Sequence, residues 1–201
     1  MDSQLTLVAP SLIQPSAEGY LALRFSNDNV NNATISLPGE STRCYIVESN
    51  SSNTSTKIYY VDDWSARHLV AHLERKDILP DRITLKDGPS MRLNKWLRFK
   101  GSLIFPARMQ LGGRCFVWKK GLYNVLAMYA DGDLEKPVAW FQKSRRRVVG
   151  GQEEVSPTYI GMTGEVREHR DDIVVACITL EHRIRMSEKY ARIQGFQNIR
   201  G

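Results

Sequence analysis

The sequence has few cysteines, and it lacks the patterns that mark secreted and zinc-binding proteins. Only three cysteines occur among 201 residues, so a disulfide framework would leave one thiol unpaired. There is no Cys-x-x-Cys pair, which argues against a structural zinc site. The first ten residues show no basic segment followed by an apolar one, so we expect no secretory signal. These absences predict a cytoplasmic protein with reduced thiols.

Signatures of catalysis and of nucleotide binding are also missing. The pairs Gly112-Gly113 and Gly150-Gly151 lack the spacing of a phosphate-binding loop. There is no Gly-x-Ser-x-Gly and no His-Glu-x-x-His motif. No helix-turn-helix, zinc-finger or RNP-like pattern appears, so nucleic acid is not an expected partner. The sequence predicts neither a cofactor nor a metal.

Long hydrophobic runs are absent as well, and the strongest apolar stretch is only eight residues long, 173–180. A helix needs about 20 residues to cross a bilayer, so we expect no transmembrane segment. The stretch follows Asp171 and Asp172, a typical helix start with favourable negative charge. It predicts a buried helix over about residues 171–192, ended near Gly195.

What the chain does contain is a series of short segments rich in β-forming residues, separated by turn clusters. They include residues 20–25, 33–37, 43–48, 56–61, 82–85 and 114–119. Strands this short, with turns this regular, are typical of an antiparallel meander. Residues 90–97 predict a short helical turn, and a hairpin is expected around Gly164. We interpret residues 1–18 as a loosely ordered arm and residues 19–201 as a single domain.

Residues 64–77 fit either a helix or a strand, and the clean alternation favours a strand. Such a strand places His68 and His72 on one face with Val70 between them. With Asp63 nearby in sequence, these histidines are the best acid–base or metal candidates, although solvent-facing strands often carry histidines with no such role. His182 directly follows the buried run, where it either lines the mouth of the fold or bonds a strand carbonyl.

The strand series ending in one buried helix resembles the tubby C-terminal-like architecture, in which a closed β-barrel wraps a central hydrophobic helix. More narrowly, the chain resembles a fungal domain family of unknown function that is common in mushroom-forming species. Five passages carry the resemblance: 23–28 (LRFSND), 73–85 (LERKDILPDRITL), 95–97 (KWL), 113–119 (GRCFVWK) and 171–185 (DDIVVACITLEHRIR). It implies a mainly β fold, a closed antiparallel barrel around the C-terminal helix. It brings no catalytic residues.

Basic residues form the main functional signal. The net charge is +6, which favours anionic partners. One cluster contains Lys143, Arg145, Arg146 and Arg147, and another, Lys119 and Lys120, ends a predicted strand. If those strands pair, the clusters share one rim and attract phosphates, at roughly 1 kcal/mol per basic residue near an anionic leaflet. The bland alternative is a solvated loop that keeps the protein soluble.

Three functions follow as expectations. The first is a binding module for anionic lipid head groups or another phosphate-bearing ligand at the basic rim, with peripheral membrane contact. Tubby proteins and phospholipid scramblases, which share the barrel, are associated with phosphoinositide or phospholipid membranes. The resemblance therefore implies a membrane lipid as the partner here as well. The second is a cofactor-independent enzyme with a pocket between the strands. The third is a protein-interaction scaffold.

Overall fold

A computed structural model describes residues 19–38, 43–76, 79–101, 104–121, 125–149 and 152–198. The predicted arm, residues 1–18, lies outside them. Within those ranges the chain forms fifteen strands, two α-helices and a 3-10 helix (Gly164–His169). In chain order they are β1 (Tyr20–Phe25), β2 (Ala33–Ser36), β3 (Arg43–Ser49), β4 (Ser55–Val61), β5 (Arg67–Glu74), β6 (Arg82–Leu85), β7 (Met91–Arg92), α1 (Leu93–Trp96), β8 (Arg98–Phe99), β9 (Ala107–Leu111), β10 (Arg114–Lys120), β11 (Leu126–Ala130), β12 (Ala139–Gln142), β13 (Arg145–Val149), β14 (Gln152–Ser156), β15 (Tyr159–Thr163) and α2 (Arg170–Asn198).

Thirteen of the described strands form one antiparallel sheet, here called the main sheet. Its order is β7-β6-β5-β4-β3-β2-β1-β15-β12-β11-β10-β9-β8. Neighbours in the sheet are mostly neighbours in sequence, as the predicted meander requires, and β15 lies between β1 and β12. The remaining described strands, β13 and β14, pair only with each other. The prediction of a mainly β, antiparallel fold is confirmed.

The strands of the main sheet bury one face. In β9, Ala107, Met109 and Leu111 are buried, whereas Arg108 and Gln110 between them are exposed. This period of two is the pattern of a sheet that covers a core on one side and meets water on the other. The buried face belongs to one continuous hydrophobic cluster that also includes the start of α2.

Helix α2 supplies the centre of that cluster. Each residue from 173 to 180 is at most 2% exposed. Eight residues make more than two helical turns, so their side chains point in every direction around the axis. Burial on all sides therefore requires the main sheet to curve around the helix. The predicted buried helix is confirmed, and it extends from Arg170 to Asn198.

The two edges of the main sheet, β7 and β8, follow each other in the chain. Only residues 93–97 separate them, and they include α1. Leu93 and Leu97 are buried and hold α1 against the core. No hydrogen-bonded pairing joins β7 to β8 in the described part of the chain, so the predicted closure of the barrel stays a prediction.

Two local predictions can be compared directly with the structure. The short helical turn within residues 90–97 is present as α1. The hairpin predicted around Gly164 is wrong, because β15 runs into the 3-10 helix, which continues into α2. That 3-10 helix buries Val166 and exposes Glu165 and Arg167, so its polar–apolar alternation was easily mistaken for a strand.

Candidate functional site

Two of the predicted basic residues, Lys143 and Lys120, each contact a glutamate of α2 where this helix leaves the main sheet. Strands β10 and β12 run in the same direction because each is antiparallel to β11, so their C-terminal ends share a rim. Lys143 Nζ lies 2.9 Å from Glu181 Oε1, and Lys120 Nζ lies 3.5 Å from Glu188 Oε1. Glu181 and Glu188 are two turns apart on the same side of α2. Lys119 lies on the opposite face of β10 from Lys120, since side chains alternate along a strand.

Glu181 is a buried carboxylate, with only 1% of the residue exposed. Arg185 Nε donates to its Oε1 over 2.7 Å, and Lys143 contacts the same oxygen. Two cations offset the cost of removing this charge from water. Oε2 has no hydrogen-bond partner among the described residues. Lys143, expected to hold a ligand, is therefore already engaged in an internal ion pair.

Asp28 connects four parts of the fold next to this ion pair. Its carboxylate accepts hydrogen bonds from the hydroxyls of Thr158 and of Ser144, the latter over 2.6 Å. Arg185 Nη2 donates to the Asp28 carbonyl over 2.6 Å. The hydroxyl of Ser144, followed by that of Thr158, holds the pKa of Asp28 below its usual value. The β1–β2 loop, the end of β12, the start of β15 and α2 are thereby joined by polar contacts.

His182 lies buried beside the same loop. The side-chain amide of Asn31 donates to His182 Nδ1 over 3.2 Å. Burial, and then the charge of nearby Arg75, lower the pKa of His182 to about 4. The imidazole is therefore neutral at physiological pH. Among the described residues, its partner is a side chain of the β1–β2 loop rather than the strand carbonyl considered from the sequence.

A third group of charges, Arg75, Asp81 and Arg183, lies near His182. Arg183 Nη2 lies 2.8 Å from Asp81 Oδ2, and its guanidinium lies 4.3 Å from the centre of the Phe99 ring. Arg75 Nη1 donates to the Asn53 carbonyl over 2.9 Å. Burial lowers the pKa of Arg75 to about 10, so it stays charged at neutral pH. The rim is thus a mixed-charge network rather than a purely basic patch.

Comparison with known proteins gives one informative match. The model of a family described as "Family of unknown function (DUF6593)" matches residues 28–186. The chain belongs to this family. No curated protein and no solved structure matches the chain.

The DUF6593 region contains most of the polar network at the exit of α2. Asp28, Glu181, His182 and Arg185 all fall inside it, whereas Glu188 lies beyond its end. The region begins after β1, yet β1 is hydrogen-bonded to both β2 and β15 in the middle of the main sheet. The folded unit of this DUF6593 protein therefore includes residues that precede the family match.

The three arginines of the basic run predicted to bind a ligand lie on β13 of the β13–β14 hairpin, outside the main sheet, whereas Lys143 precedes it. Arg146 is opposite Val155 in the hairpin register, and Val148 lies two residues further along the same face. Val148 is 75% exposed and Val155 is 61% exposed. This face thus combines Arg146 with two exposed apolar side chains, and the backbone register places Glu153 opposite Val148 on the same face. The side chain of Arg147 lies outside the described structure, and the backbone register places Arg147 opposite Glu154.

The candidate histidines lie on opposite faces of β5, so the prediction that they share a face is wrong. A bulge in β5 pairs Ala71 with Ile58 but Leu69 with Tyr59, which leaves Val70 as an extra residue. In consequence His68 is opposite Tyr60, while His72 is opposite Lys57. Opposite residues share a face, and Tyr60 and Lys57, three residues apart in an alternating strand, do not.

Each histidine has a local partner instead. His68 Nε2 lies 2.8 Å from Asp62 Oδ2, and His72 Nε2 lies 2.9 Å from the Ser55 hydroxyl. Asp63 is exposed in the turn before β5 and takes part in neither contact. Within the described residues, no group of three His, Cys, Asp or Glu side chains is placed to hold a metal ion. These contacts give no support to an acid–base or metal role.

Sequence reasoning missed the buried network around Glu181. A signal was present, because Glu181 and Arg185 have the i,i+4 spacing at which opposite charges meet on a helix. Asp28 had no such signal, since its partners Ser144 and Thr158 are more than a hundred residues away. In the part of the chain that the structure describes, no helix is long and apolar enough to cross a membrane.

Proposed function

We propose that this protein is a peripheral binding module for membranes that contain anionic lipids, and that the β13–β14 hairpin is its contact surface. The observation that carries the proposal is the face formed by Arg146, Val148 and Val155, on a hairpin that stands apart from the main sheet. Cations attract anionic head groups, while exposed apolar side chains enter the boundary between head groups and acyl chains.

The charge of the hairpin region sets the expected strength. Three arginines, Arg145, Arg146 and Arg147, lie on β13, against the two carboxylates Glu153 and Glu154 on β14. At roughly 1 kcal/mol for each net positive charge near an anionic leaflet, electrostatics supplies about 1 kcal/mol. Burying each valine adds at most about 1.5 kcal/mol. The sum predicts weak, reversible and salt-dependent binding.

The resemblance noted in the sequence supports the same proposal. We propose that the main sheet and α2 form the tubby C-terminal-like barrel of a fungal family, with α1 spanning the gap between β7 and β8. The adjacency of the two sheet edges in the chain and the complete burial of residues 173–180 support this arrangement. Membrane association of better-known proteins with that barrel makes lipid the first partner to test.

Vesicle co-sedimentation tests the function. The full chain is mixed with phosphatidylcholine vesicles, with or without phosphatidylserine or a phosphoinositide. We expect sedimentation only with the anionic vesicles, and the variant Arg145→Gln/Arg146→Gln should bind about 30-fold more weakly, which corresponds to about 2 kcal/mol. A second variant, Val148→Ser/Val155→Ser, should weaken binding at high salt as well as at low salt.

The matched control removes the same charge elsewhere. Arg24 and Lys57 are exposed on strands of the main sheet, so Arg24→Gln/Lys57→Gln has the same net charge as the hairpin variant. This control should bind like the wild type. Equal sedimentation of the wild type and both hairpin variants would contradict the proposal, as would equal binding to neutral and anionic vesicles.

A further inference from the structure

A cavity of about 310 Å³ lies next to α1, the helix that connects the two edge strands of the main sheet, and is also lined by β8, β9 and β10. We call it the seam cavity. The lining residues that matter here are Met91, Lys95, Trp96, Arg98, Arg108 and Cys115. None of them belongs to the β13–β14 hairpin or to the rim at which α2 leaves the sheet.

The charges around the seam cavity are unbalanced. Its described lining contains three cations, Lys95, Arg98 and Arg108, and no carboxylate. Arg98 and Arg108 are directly opposite each other in the β8–β9 register, where like charges repel. Arg108 reaches Asp131 outside the lining, at 3.4 Å and with both side chains about half exposed. Lys95 and Arg98 make no ion pair among the described residues, so the cavity holds an excess of positive charge.

One wall of the cavity is apolar and firmly held. The buried Leu93 and Leu97 lie on either side of Trp96 and anchor α1 against the core. The Asn94 side chain accepts a hydrogen bond from the Phe99 backbone over 2.8 Å, which fixes α1 to β8. A fixed indole beside a group of cations is suited to a ligand with an apolar end and an anionic end.

We propose that the seam cavity binds an organic phosphate, with the phosphate held by Arg98, Arg108 and Lys95 and the hydrocarbon or aromatic part packed on Trp96 and Met91. A guanidinium group can donate two parallel hydrogen bonds to two oxygens of one phosphate. A phosphate monoester carries nearly two negative charges, which are attracted to the three cations. The volume lies at the lower end of the range for small-molecule sites. This proposal is independent of the membrane function.

Calorimetric titration of the full chain tests it, with phenyl phosphate, inorganic phosphate, phenol and dihexanoyl phosphatidic acid as probes. We expect phenyl phosphate to bind at least tenfold more tightly than inorganic phosphate, and phenol not to bind. Tighter binding of the phosphatidic acid would identify a lipid head group as the source of the phosphate. Tighter binding of phenyl phosphate would identify a soluble phosphate ester.

Two double variants locate the site. Arg98→Gln/Arg108→Gln should lose at least tenfold in phenyl phosphate affinity, while its melting temperature should not fall, because a like-charge pair is removed. Arg145→Gln/Arg146→Gln, on the hairpin, should retain full affinity. If neither phosphate ester binds at millimolar concentration, or if the Arg98→Gln/Arg108→Gln variant binds like the wild type, the proposal is overturned.

Cys115 provides a second readout on the unmodified protein. It lines the seam cavity and is partly exposed, whereas Cys44 and Cys177 are buried. We therefore expect an alkylating agent to modify Cys115 first, and saturating phenyl phosphate to slow that modification at least fivefold. An unchanged rate of Cys115 alkylation, at a phenyl phosphate concentration that saturates the calorimetric signal, would place the ligand elsewhere and overturn the proposal.

Discussion

At the scale of single residues, α2 carries buried polar side chains just after its apolar segment, and each is paired with a specific residue elsewhere in the fold. Glu181 is paired with Lys143 and Arg185, and His182 is bonded to Asn31. Buried polar groups are costly to leave unpaired, so these contacts fix how the β1–β2 loop and the end of β12 meet the helix. Such contacts make the stability of the fold depend on protonation.

We predict that the protein loses stability on acidification between about pH 6.5 and pH 4 because of His182. Its pKa is lowered to about 4 in the folded protein, whereas an unfolded histidine has a pKa near 6.5. Between these values the unfolded chain binds a proton that the folded chain does not, so folding weakens as the pH falls. The full effect is about 3 kcal/mol, measurable by urea unfolding at several pH values.

The variant His182→Gln separates this effect from the titration of carboxylates. Glutamine retains a polar side chain but does not titrate, so its free energy of unfolding should change less over the same pH interval. The lowered pKa of Asp28 acts at more acidic pH, below its ordinary value of 3.8, and should affect both proteins alike. Identical pH dependence of wild type and His182→Gln would show that His182 is not the titrating group.

At the scale of elements, β12 packs against β15 on the outer side of the main sheet because β15 has a glycine, Gly161, where a larger residue would collide with Trp140. Trp140 is opposite Gly161 in the register of these strands and is buried. A Cβ built on Gly161 would lie 2.2 Å from two ring carbons of Trp140. Tyr20 of β1 packs against the same indole, with ring centres 5.4 Å apart. The indole therefore lies over the backbone of β15.

We predict that Gly161→Ala destabilises the protein by about 1–3 kcal/mol, because the added methyl group must displace a packed ring. Gly164→Ala is the matched control, since a Cβ there would meet no atom within 4 Å. It should change stability by less than about 0.5 kcal/mol. Thermal or chemical unfolding of both variants makes the comparison, and equal stability of the two would contradict this packing.

Element types were largely predictable from the sequence, whereas their irregularities were not. Alternating apolar residues predicted most strands, and the uniformly apolar residues 173–180 predicted the buried helix. The bulge at Val70 was not predictable, because Val70 and Ala71 are both apolar and either fits the inner face of a regular strand. That single extra residue moved His72 to the face opposite His68 and removed the sequence basis for a histidine site.

At the scale of the whole molecule, the main sheet and α2 depend on each other. The sheet presents one apolar face, and α2 fills the space that this face encloses. Most pairings in the sheet join strands that follow each other in the chain, so they could be expected from short turns. The pairing of β15 with β1 could not, since it joins residues at opposite ends of the chain, such as Tyr20 and Thr163.

We predict that Val175→Asp prevents folding of the entire protein rather than disabling one site. Val175 is fully buried in the middle of α2, where a carboxylate has no partner. The cost of about 5 kcal/mol or more is comparable with the whole stability of a typical protein, roughly 5–15 kcal/mol. Circular dichroism and cooperative thermal unfolding provide the measurement.

The control is Ile193→Asp on the same helix, at a position that is 45% exposed. It should fold and unfold like the wild type. A soluble Val175→Asp protein with a cooperative transition would show that residues 173–180 are not the core on which the sheet depends.

The two-residue length of β7 and β8 has a consequence for behaviour at high concentration. The free edge of a large sheet normally offers a row of unpaired amides and carbonyls on which another chain can assemble. Here each edge strand carries an arginine, Arg92 or Arg98, and α1 lies between the two edges along the chain. Edge strands of only two residues offer an added strand very few unpaired backbone groups. We therefore expect the protein to resist ordered aggregation through its sheet edges, despite the width of the sheet.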